Sequence, residues 1–216
     1  MIELNKIILA DCMDIMKDIP DKYFELAIVD PPYGIGMDEG FEGFGGFGKP
    51  IERKRYIGNW DNTTPNNNYF NELFRVSQNQ IIFGGNFFAN QIPKGTHWIV
   101  WDKKNTMPTF SDCELIWTSL KRNSVKIIVE EYNGLIGKEN IKRFHPCQKP
   151  VILIKKILKN YATEGDKILD THSGSGTTAI ACIDMGFEYL CIEKDKEYFE
   201  KSVERVNKEL IKIKLF

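Results

Sequence analysis

The sequence predicts a doubly wound α/β sheet, and two patterns support this fold class. Short apolar runs rich in Ile, Val, Leu and Trp recur along the 216 residues, and helical stretches separate them. Several runs are apolar throughout, which is typical of strands covered on both faces by helices. Because strands and helices alternate, and because a chain of this length usually forms one domain, we expect a single domain over residues 1–216.

Eight apolar runs have the length and composition of strands. They are Ile7–Leu9, Leu26–Val29, Gln80–Phe83, Trp98–Trp101, Glu114–Trp117, Val125–Val129, Ile168–Leu169 and Tyr189–Ile192. The clearest helix is the last one, where apolar residues recur at steps of four and three at Phe199, Val203, Val206, Leu210 and Ile213. A second helix is predicted over Val151–Tyr161, directly after Pro150, and a third over Ala179–Met185, closed by Gly186.

The first candidate site follows the strand Leu26–Val29 and has the sequence Asp30-Pro31-Pro32-Tyr33. Two prolines cannot extend a strand, so the chain must turn at the carboxyl end of the sheet, where α/β proteins bind their ligands. The Asp30 carboxylate and the Pro31 carbonyl can both accept hydrogen bonds from one amino group, and Tyr33 offers an aromatic face to a planar base. The tetrapeptide therefore predicts a site that orients an aromatic amine for attack on a methyl donor.

The second candidate site lies between the strand at Lys167–Asp170 and the helix at Ala179–Met185. Its sequence, Thr171-His172-Ser173-Gly174-Ser175-Gly176-Thr177-Thr178, is a glycine turn of the kind that lets backbone N–H groups approach a ligand closely. It lacks the Gly-Lys-Ser/Thr ending of a phosphate-binding loop and the third glycine of a dinucleotide fingerprint. Glu193 ends the next strand, where an acidic residue can bind ribose hydroxyls. Together these features indicate an adenosine-containing cofactor without a diphosphate.

These two sites resemble those of the DNA amino methyltransferases, in the circularly permuted order in which the catalytic motif precedes the cofactor motif. The resemblance covers nearly the whole chain and implies a Rossmann-like, S-adenosylmethionine-dependent fold. It implies that Asp30, Pro31, Pro32 and Tyr33 bind the target amine, with Asp30 also bordering the cofactor. It further implies a duplex DNA substrate, modified at adenine N6 in a restriction-modification setting.

The resemblance also assigns the cofactor-binding residues. The glycine motif corresponds to Asp170, Gly174, Ser175, Gly176 and Thr177, which would surround the methionine portion, and Glu193 would bind the ribose. Ala10-Asp11-Cys12 matches the family's Gly-Asp-Cys element, so Asp11 would meet the cofactor's adenine amine and Cys12 would flank its ring. Lys149, within His145-Pro146-Cys147-Gln148-Lys149-Pro150, would hold the cofactor carboxylate.

Two departures from the family pattern affect these assignments. The usual Asp-Pro-Phe before the glycines is Asp170-Thr171-His172, so His172 is expected to pack beside the cofactor. The region at 118–145, where a target-recognition segment is expected, is short. Sequence specificity is then either low or supplied by a partner subunit in a homodimer.

Charge and loop composition suggest how a protein of net charge −1 would hold DNA. Basic residues cluster in two stretches, and we expect DNA contacts from Lys49, Arg53, Lys54, Arg55, Lys121, Arg122, Lys142 and Arg143. Residues 34–60 include seven glycines between Gly34 and Gly48, with Phe41, Phe44 and Phe47 among them, which predicts a mobile loop. Two interpretations of the loop remain open, a disordered insertion or a lid that contacts an extruded base.

Several classes of function are disfavoured by composition. No apolar run reaches the length of a membrane span, and no signal peptide is recognisable, so we expect a cytoplasmic protein. The five scattered cysteines form no C-x-x-C pair, which argues against a disulfide framework or a metal site. Three alternatives stay open: N4-cytosine methylation, an RNA target, and an inactive cofactor-binding module that serves as a regulatory subunit.

Overall fold

The computed structural model describes residues 2–36, 61–105, 111–132 and 144–214, with side chains up to residue 211. Within these ranges the chain forms an eight-stranded sheet in the order β1-β8-β7-β2-β3-β5-β4-β6. The strands are β1 Lys6–Leu9, β2 Phe24–Val29, β3 Ser77–Phe83, β4 Trp98–Asp102, β5 Cys113–Thr118, β6 Val125–Val129, β7 Lys167–Asp170 and β8 Glu188–Glu193. All eight predicted strands are confirmed.

Five helices flank this sheet in the described residues. They are α1 Cys12–Met16, α2 Asn67–Val76, α3 Val151–Tyr161, α4 Thr177–Met185 and α5 Lys196–Lys214, and a short 3-10 helix spans Gly85–Phe88. The sequence predicted α3 with these bounds, α4 two residues shorter, and α5 from its apolar stripe. It did not predict α1 or α2. α1 has only five residues, which is too short for an apolar repeat to be recognised, whereas α2 carries a helical repeat at Tyr69, Phe70, Leu73 and Val76 that was overlooked. Each begins at a side-chain cap, Asp11 for α1 and Asn66 for α2.

The centre of the sheet is covered on both faces, as a doubly wound fold requires, whereas Val125, Ile127 and Val129 of the edge strand β6 are exposed in the described structure. Leu26 and Ile28 of β2 pack on the face that also buries α3, α4 and α5. Ala27 and Val29, one residue out of step, pack on the other face with α1 and α2. Because successive side chains of a strand point to opposite faces, a strand buried on both sides is apolar at every position. The structure is therefore the Rossmann-like methyltransferase fold that the sequence predicted.

Strand direction determines which residues meet at the site. β1, β8, β7, β2 and β3 are mutually parallel, so their carboxyl ends lie along one edge of the sheet. β5 runs antiparallel to β3, with Ile116 paired to Phe83, so the amino end of β5 reaches that same edge. Among the described residues no helix combines the length and apolar character needed to cross a bilayer.

Candidate active site

A cavity of about 860 Å³ opens at the carboxyl ends of the parallel strands. It is lined by every predicted catalytic residue and by every predicted cofactor residue except Gly176: Asp11, Cys12, Asp30, Pro31, Pro32, Tyr33, Lys149, Asp170, His172, Gly174, Ser175, Thr177 and Glu193. Residues as far apart in sequence as Asp11 and Glu193 thus meet in one space because their strands end at one edge. The space is large enough for a drug-sized ligand together with further groups.

Asp61 stabilises the predicted catalytic turn, Asp30–Tyr33, through hydrogen bonds to its backbone. Asp61 is 2% exposed, and its Oδ1 accepts hydrogen bonds from the backbone N–H groups of Tyr33 (2.7 Å) and Gly34 (2.9 Å). Since the two prolines carry no N–H group, the first backbone donors after them need a partner, and the Asp61 carboxylate supplies it. The Asp61 side chain therefore fixes where the tetrapeptide turns.

The Tyr33 ring is packed against Phe87 and Gly84. It stacks on Phe87, with ring centroids 4.8 Å apart and an interplanar angle of 13°. Gly84, at φ +64°, lies against the ring so closely that a Cβ there would come within 2.4 Å of the Tyr33 Cε1 atom. Tyr33 was predicted to offer an aromatic face to a base, and in this structure one of its faces is already covered by Phe87.

A compact charged cluster surrounds the end of the catalytic turn. The Tyr33 hydroxyl lies 2.6 Å from Asp30 Oδ1 and 2.6 Å from Glu114 Oε1. Lys149 Nζ lies 2.6 Å from Asp30 Oδ2 and 3.2 Å from Glu114 Oε1, and Lys103 Nζ lies 3.1 Å from Glu114 Oε2. The cluster holds two carboxylates and two ammonium groups, so its formal charges balance in the interior.

The surroundings of Asp30 and Glu114 shift the pKa values of these two carboxyl groups in opposite directions. Burial raises the pKa of Asp30, and the neighbouring Glu114 adds to this rise against the attraction of Lys149. Burial also acts to raise the pKa of Glu114, but Lys149 and Lys103 outweigh it and lower that pKa to about 2. For Lys149, burial opposes the charged form, yet Asp30 and Glu114 raise its pKa above the usual value. Glu114 and Lys149 are therefore permanent charges.

Lys149 was predicted to hold a cofactor carboxylate. The structure places its ammonium group between Asp30 and Glu114, where it also lies 5.1 Å from the centre of the Phe83 ring. It belongs to the cavity wall, as the sequence predicted, but in this structure its contacts are with the catalytic end.

The glycine turn joins β7 to α4 and borders the other end of the cavity. Gly174 and Gly176 have φ values of +50° and +73°, in the left-handed region that favours glycine. The Gly174 N–H donates to Glu193 Oε2 at 2.6 Å, and the Asp195 N–H donates to Glu193 Oε1 at 2.8 Å. Burial raises the pKa of Glu193. The Glu193 carboxylate is thus fixed in place where it lines the cavity.

Gly176 is not among the residues that line the cavity. A Cβ there would meet Ser202 at 3.2 Å and Ile7 at 3.3 Å, so the absence of a side chain lets α5 and β1 pack closely at this position. Its backbone approach to the cofactor stays a prediction. Gly174 is the glycine that borders the cavity, and a Cβ there would meet the His145 ring at 3.2 Å.

Asp11 and Cys12 lie at the start of α1. Asp11 caps that helix by accepting from the Met13 N–H at 3.0 Å, and its Oδ2 lies 2.9 Å from Lys194 Nζ. The hydrogen bond with Lys194 lowers the pKa of Asp11. Burial raises the pKa of the Cys12 thiol to about 12, so Cys12 is a neutral packing residue at the cavity wall.

Asp170 and His172 line the cavity next to the glycine turn. Burial raises the pKa of Asp170 to about 7 and lowers the pKa of His172 to about 4. The His172 backbone N–H donates to Asp170 Oδ1 at 3.0 Å, and its ring lies 5.2 Å from the Tyr69 ring in an edge-on arrangement. His172 is therefore a neutral packing group beside the cavity, in the place where the family usually has Phe.

The predicted DNA-contacting residues divide into two groups. Lys121 and Arg122 lie in the exposed connection after β5, which ends at the edge of the sheet opposite to the cavity, and Arg122 packs over Tyr161 at the far end of α3. The structure thus does not bring this pair to the cavity. Lys49, Arg53, Lys54, Arg55, Lys142 and Arg143 lie outside the described residues, as does the expected loop beyond Gly36.

Three functional side chains were missed from the sequence. Glu114 was treated as the first residue of a strand, and only the reversed direction of β5 brings it to the site. Asp61 gave no signal, since it follows the glycine-rich segment with no recognisable motif. Arg205 of α5 supports the glycine turn by donating to the Ser175 carbonyl at 3.0 Å, and it was hidden among the polar positions of an amphipathic helix.

Comparison with known proteins agrees with this geometry. A family model described as DNA methylase, for amino methyltransferases of the N6/N4 type, matches residues 101–204. The Type II methyltransferase M2.MboI from Moraxella bovis is 27% identical, over 91% of this chain and 85% of the relative.

Solved structures show the same fold. The M1.HpyAVI–SAM complex superposes with a TM-score of 0.63 at 19% identity, covering 94% of this chain and 98% of the other. The cytosine-N4-specific PvuII DNA methyltransferase superposes with a TM-score of 0.60 at 14% identity, covering 94% and 90%. In its motifs, in the cavity that they line and in its fold, the chain is similar to the S-adenosylmethionine-dependent DNA amino methyltransferases of the N6/N4 type.

Proposed function

We propose that this protein transfers a methyl group from S-adenosylmethionine to the N6 amino group of adenine in duplex DNA, by direct attack of a flipped base. One observation carries the proposal: Asp30 and Tyr33 line the same cavity as the glycine turn and Glu193. An amine bound at one end and a methyl donor bound at the other would then face each other without a covalent enzyme intermediate.

The cavity suits the cofactor chemically. Glu193 would accept from the ribose hydroxyls, Asp11 from the adenine amine, and the turn at Gly174 would lie along the methionine portion. Cys12, His172 and the remaining residues of the turn, Asp170, Ser175 and Thr177, would complete the wall. S-adenosylmethionine supplies an electrophilic methyl group on a sulfonium cation, and a cavity bordered by Asp11, Asp30, Asp170 and Glu193 has the charge that favours a cation.

The target amine would be held by Asp30 and by the Pro31 carbonyl. The lone pair of an exocyclic amine is delocalised into the base, so the amine is a weak nucleophile. Two acceptors that take its hydrogens orient the lone pair and stabilise the positive charge that develops during attack. The carboxylate must be ionised for this role, and its buried setting makes its charge state sensitive to the neighbours described above.

N4-cytosine methylation is the second candidate, since it uses the same attack by an exocyclic amine and one structural neighbour is named as cytosine-N4-specific. Asp at the first catalytic position resembles adenine enzymes more than cytosine enzymes, where Ser is commoner. The decisive experiment incubates the protein with labelled S-adenosylmethionine and mixed DNA or RNA, followed by nucleoside analysis. Label in N6-methyladenine from DNA supports the proposal, and label in N4-methylcytosine, in RNA or in no product contradicts it.

For DNA binding we propose the basic residues Lys49 and Arg53–Arg55, with Lys142 and Arg143 as a second group. They lie next in sequence to the catalytic or the Lys149 motif, whereas Lys121 and Arg122 lie at the opposite sheet edge. Replacing Arg53, Lys54 and Arg55 together should reduce the slope of log duplex affinity against log salt concentration by roughly 0.9 per lost phosphate contact. If the triple variant keeps the wild-type slope, these residues do not contact DNA phosphates and are only solvated. Whether a homodimer forms is a separate proposal, which sedimentation would decide.

A further inference from the structure

Both oxygens of the carboxylate proposed to bind the substrate amine already have donors nearby. Asp30 Oδ1 lies 2.6 Å from the Tyr33 hydroxyl, and Asp30 Oδ2 accepts from the Lys149 ammonium at 2.6 Å. The side chain of Asp30 is 23% exposed, so little water reaches it. Each carboxylate oxygen can accept two hydrogen bonds, so an incoming amine would share Asp30 with these internal donors or replace one of them.

A second carboxylate, that of Glu114, lies within hydrogen-bond distance of both of those donors. Its Oε1 lies 2.6 Å from the Tyr33 hydroxyl and 3.2 Å from Lys149 Nζ. Its Oε2 pairs with Lys103 at 3.1 Å, and the side chain is 12% exposed. Because Lys149 and Lys103 keep the Glu114 pKa low against burial, this group is an acceptor at every pH at which the protein would work.

The Tyr33 hydroxyl carries one hydrogen but has two carboxylates at 2.6 Å. It can donate to only one of them at a time. If it donates to Asp30, that oxygen is less available to a substrate amine. If it donates to Glu114, the lone pairs of Asp30 Oδ1 are released, and no group moves far because both acceptors lie at the same distance.

We infer that Glu114 is a positioning residue for methyl transfer, which accepts the Tyr33 hydroxyl and shares the Lys149 ammonium so that Asp30 is free to accept the substrate amine. This inference rests on the proposed function, because it takes Asp30 as the acceptor of that amine. It extends the catalytic constellation from the tetrapeptide to a residue on β5, more than 80 positions away in the sequence.

The Glu114 charge also acts on the pH dependence of methyl transfer through Asp30. The ionisable groups whose charges act on Asp30 or that lie against it come from several elements: Tyr33, Tyr69, Glu114, Cys147, Lys149 and Asp170. Of these, the Glu114 carboxylate raises the pKa of Asp30. Removing that negative charge should lower the pKa of Asp30, so the acid limb of methyl transfer should move to lower pH.

The test compares Glu114→Gln with a matched control, Glu130→Gln. Glu130 is also buried, at 8% exposure, but its side chain pairs with Lys156 at 2.6 Å and not with Tyr33 or Lys149. For Glu114→Gln we expect turnover on duplex DNA to fall roughly 10- to 100-fold, the range for a charge-assisted hydrogen bond. Cofactor affinity measured by calorimetry should stay within about twofold. Glu130→Gln should change neither.

Two further variants separate positioning from folding. Glu114→Asp keeps the charge, so its acid limb should stay at the wild-type pH even where turnover is reduced. Tyr33→Phe keeps the ring but removes the competing hydroxyl, so adding Glu114→Gln to it should cost at least several-fold less than in the wild type. If Glu114→Gln does not fold, the acid limb of Glu114→Asp and its cost in the Tyr33→Phe background still decide the question.

The outcomes distinguish this inference from the proposed function. If Asp30→Ala is inactive while Glu114→Gln matches the Glu130→Gln control, only the role of Glu114 is overturned. If Glu114→Gln reduces turnover by the same factor with and without the Tyr33 hydroxyl, the exchange of hydrogen-bond partners is overturned. It is also overturned if the acid limbs of Glu114→Gln and Glu114→Asp shift alike. If Asp30→Ala retains substantial turnover, the proposed function itself fails.

Discussion

Substituting Ala for Gly84 should reduce methyl transfer by displacing Tyr33, with little effect on the cofactor end of the cavity. Gly84 has φ +64°, and an added Cβ would lie 2.4 Å from Tyr33 Cε1 and 2.5 Å from Cζ. An ordinary contact between such carbons is about 3.5 to 4 Å, so the ring must move by roughly 1 Å. A misplacement of that size can cost about 100-fold in turnover.

Gly186→Ala provides the matched control for this prediction. Gly186 has φ +76°, close to that of Gly84, but nothing lies within 4 Å of a Cβ built there. Both variants should lose about 1 to 2 kcal/mol of unfolding free energy because a non-glycine residue is forced into the left-handed region. Only Gly84→Ala should also disturb the hydrogen bonds of the Tyr33 hydroxyl to Asp30 and Glu114.

The assay measures urea unfolding, cofactor affinity by calorimetry and turnover with labelled S-adenosylmethionine for both variants. We expect similar cofactor affinities and a loss of turnover that is at least tenfold greater for Gly84→Ala. Equal turnover in the two variants would show that the position of the Tyr33 ring does not matter for the reaction. Loss of cofactor binding in Gly84→Ala alone would show that its effect is not local to the catalytic end.

Three further predictions test individual carboxylates. Asp30→Ala should abolish methyl transfer while cofactor affinity by calorimetry stays near the wild-type value, because the acceptor of the amine is lost and the cofactor end is untouched. Glu193→Gln should weaken cofactor binding about tenfold or more, since a charged acceptor for hydroxyls becomes neutral, and unchanged affinity would move the ribose site elsewhere. Asp170→Asn should stabilise the protein more at pH 8 than at pH 5.5. Because burial raises the folded-state pKa of Asp170 from 3.8 to about 7, the wild type loses stability as the pH rises through that window, by roughly 4 kcal/mol in all. Urea unfolding at the two pH values checks this, and parallel losses in both proteins would contradict it.

The strands and the two motifs could be predicted from sequence because their signals are local. An apolar run marks a buried strand wherever it lies, and a turn after the strand places Asp30 or Gly174 at a strand end. Parallel strands share their carboxyl edge, which is enough to bring the cavity residues together without knowing the strand order. Helix α1 was missed because five residues are too few to show a helical repeat, whereas the apolar repeat of α2 at Tyr69, Phe70, Leu73 and Val76 was present in the sequence and was overlooked.

Glu114 could not be predicted as a site residue because its position depends on the direction in which β5 runs relative to β3. The run Glu114–Trp117 predicts a strand, but a pattern of apolar residues is the same in either direction along the chain. Had β5 run parallel to β3, its amino end would lie at the opposite edge, and Glu114 would be far from Asp30. The same reversal carries Lys121 and Arg122, at the other end of β5, away from the cavity. The antiparallel direction of β5 thus brings Glu114 to the site and places Lys121 and Arg122 at the opposite edge of the sheet.

The distribution of acidic residues also explains why a net charge of −1 is compatible with a DNA substrate. Asp30, Asp61, Asp170 and Glu193 border the cavity, and the Glu114 side chain is 12% exposed. Under the proposed function these carboxylates would face a cationic cofactor, an amine or internal partners, and not the DNA backbone. A phosphate backbone would instead meet side chains on the surface, so affinity depends on where the bases cluster and not on the total charge. The total charge of such a protein is therefore a poor guide to its DNA affinity, and the salt dependence of binding is the measurement that reports on the surface alone.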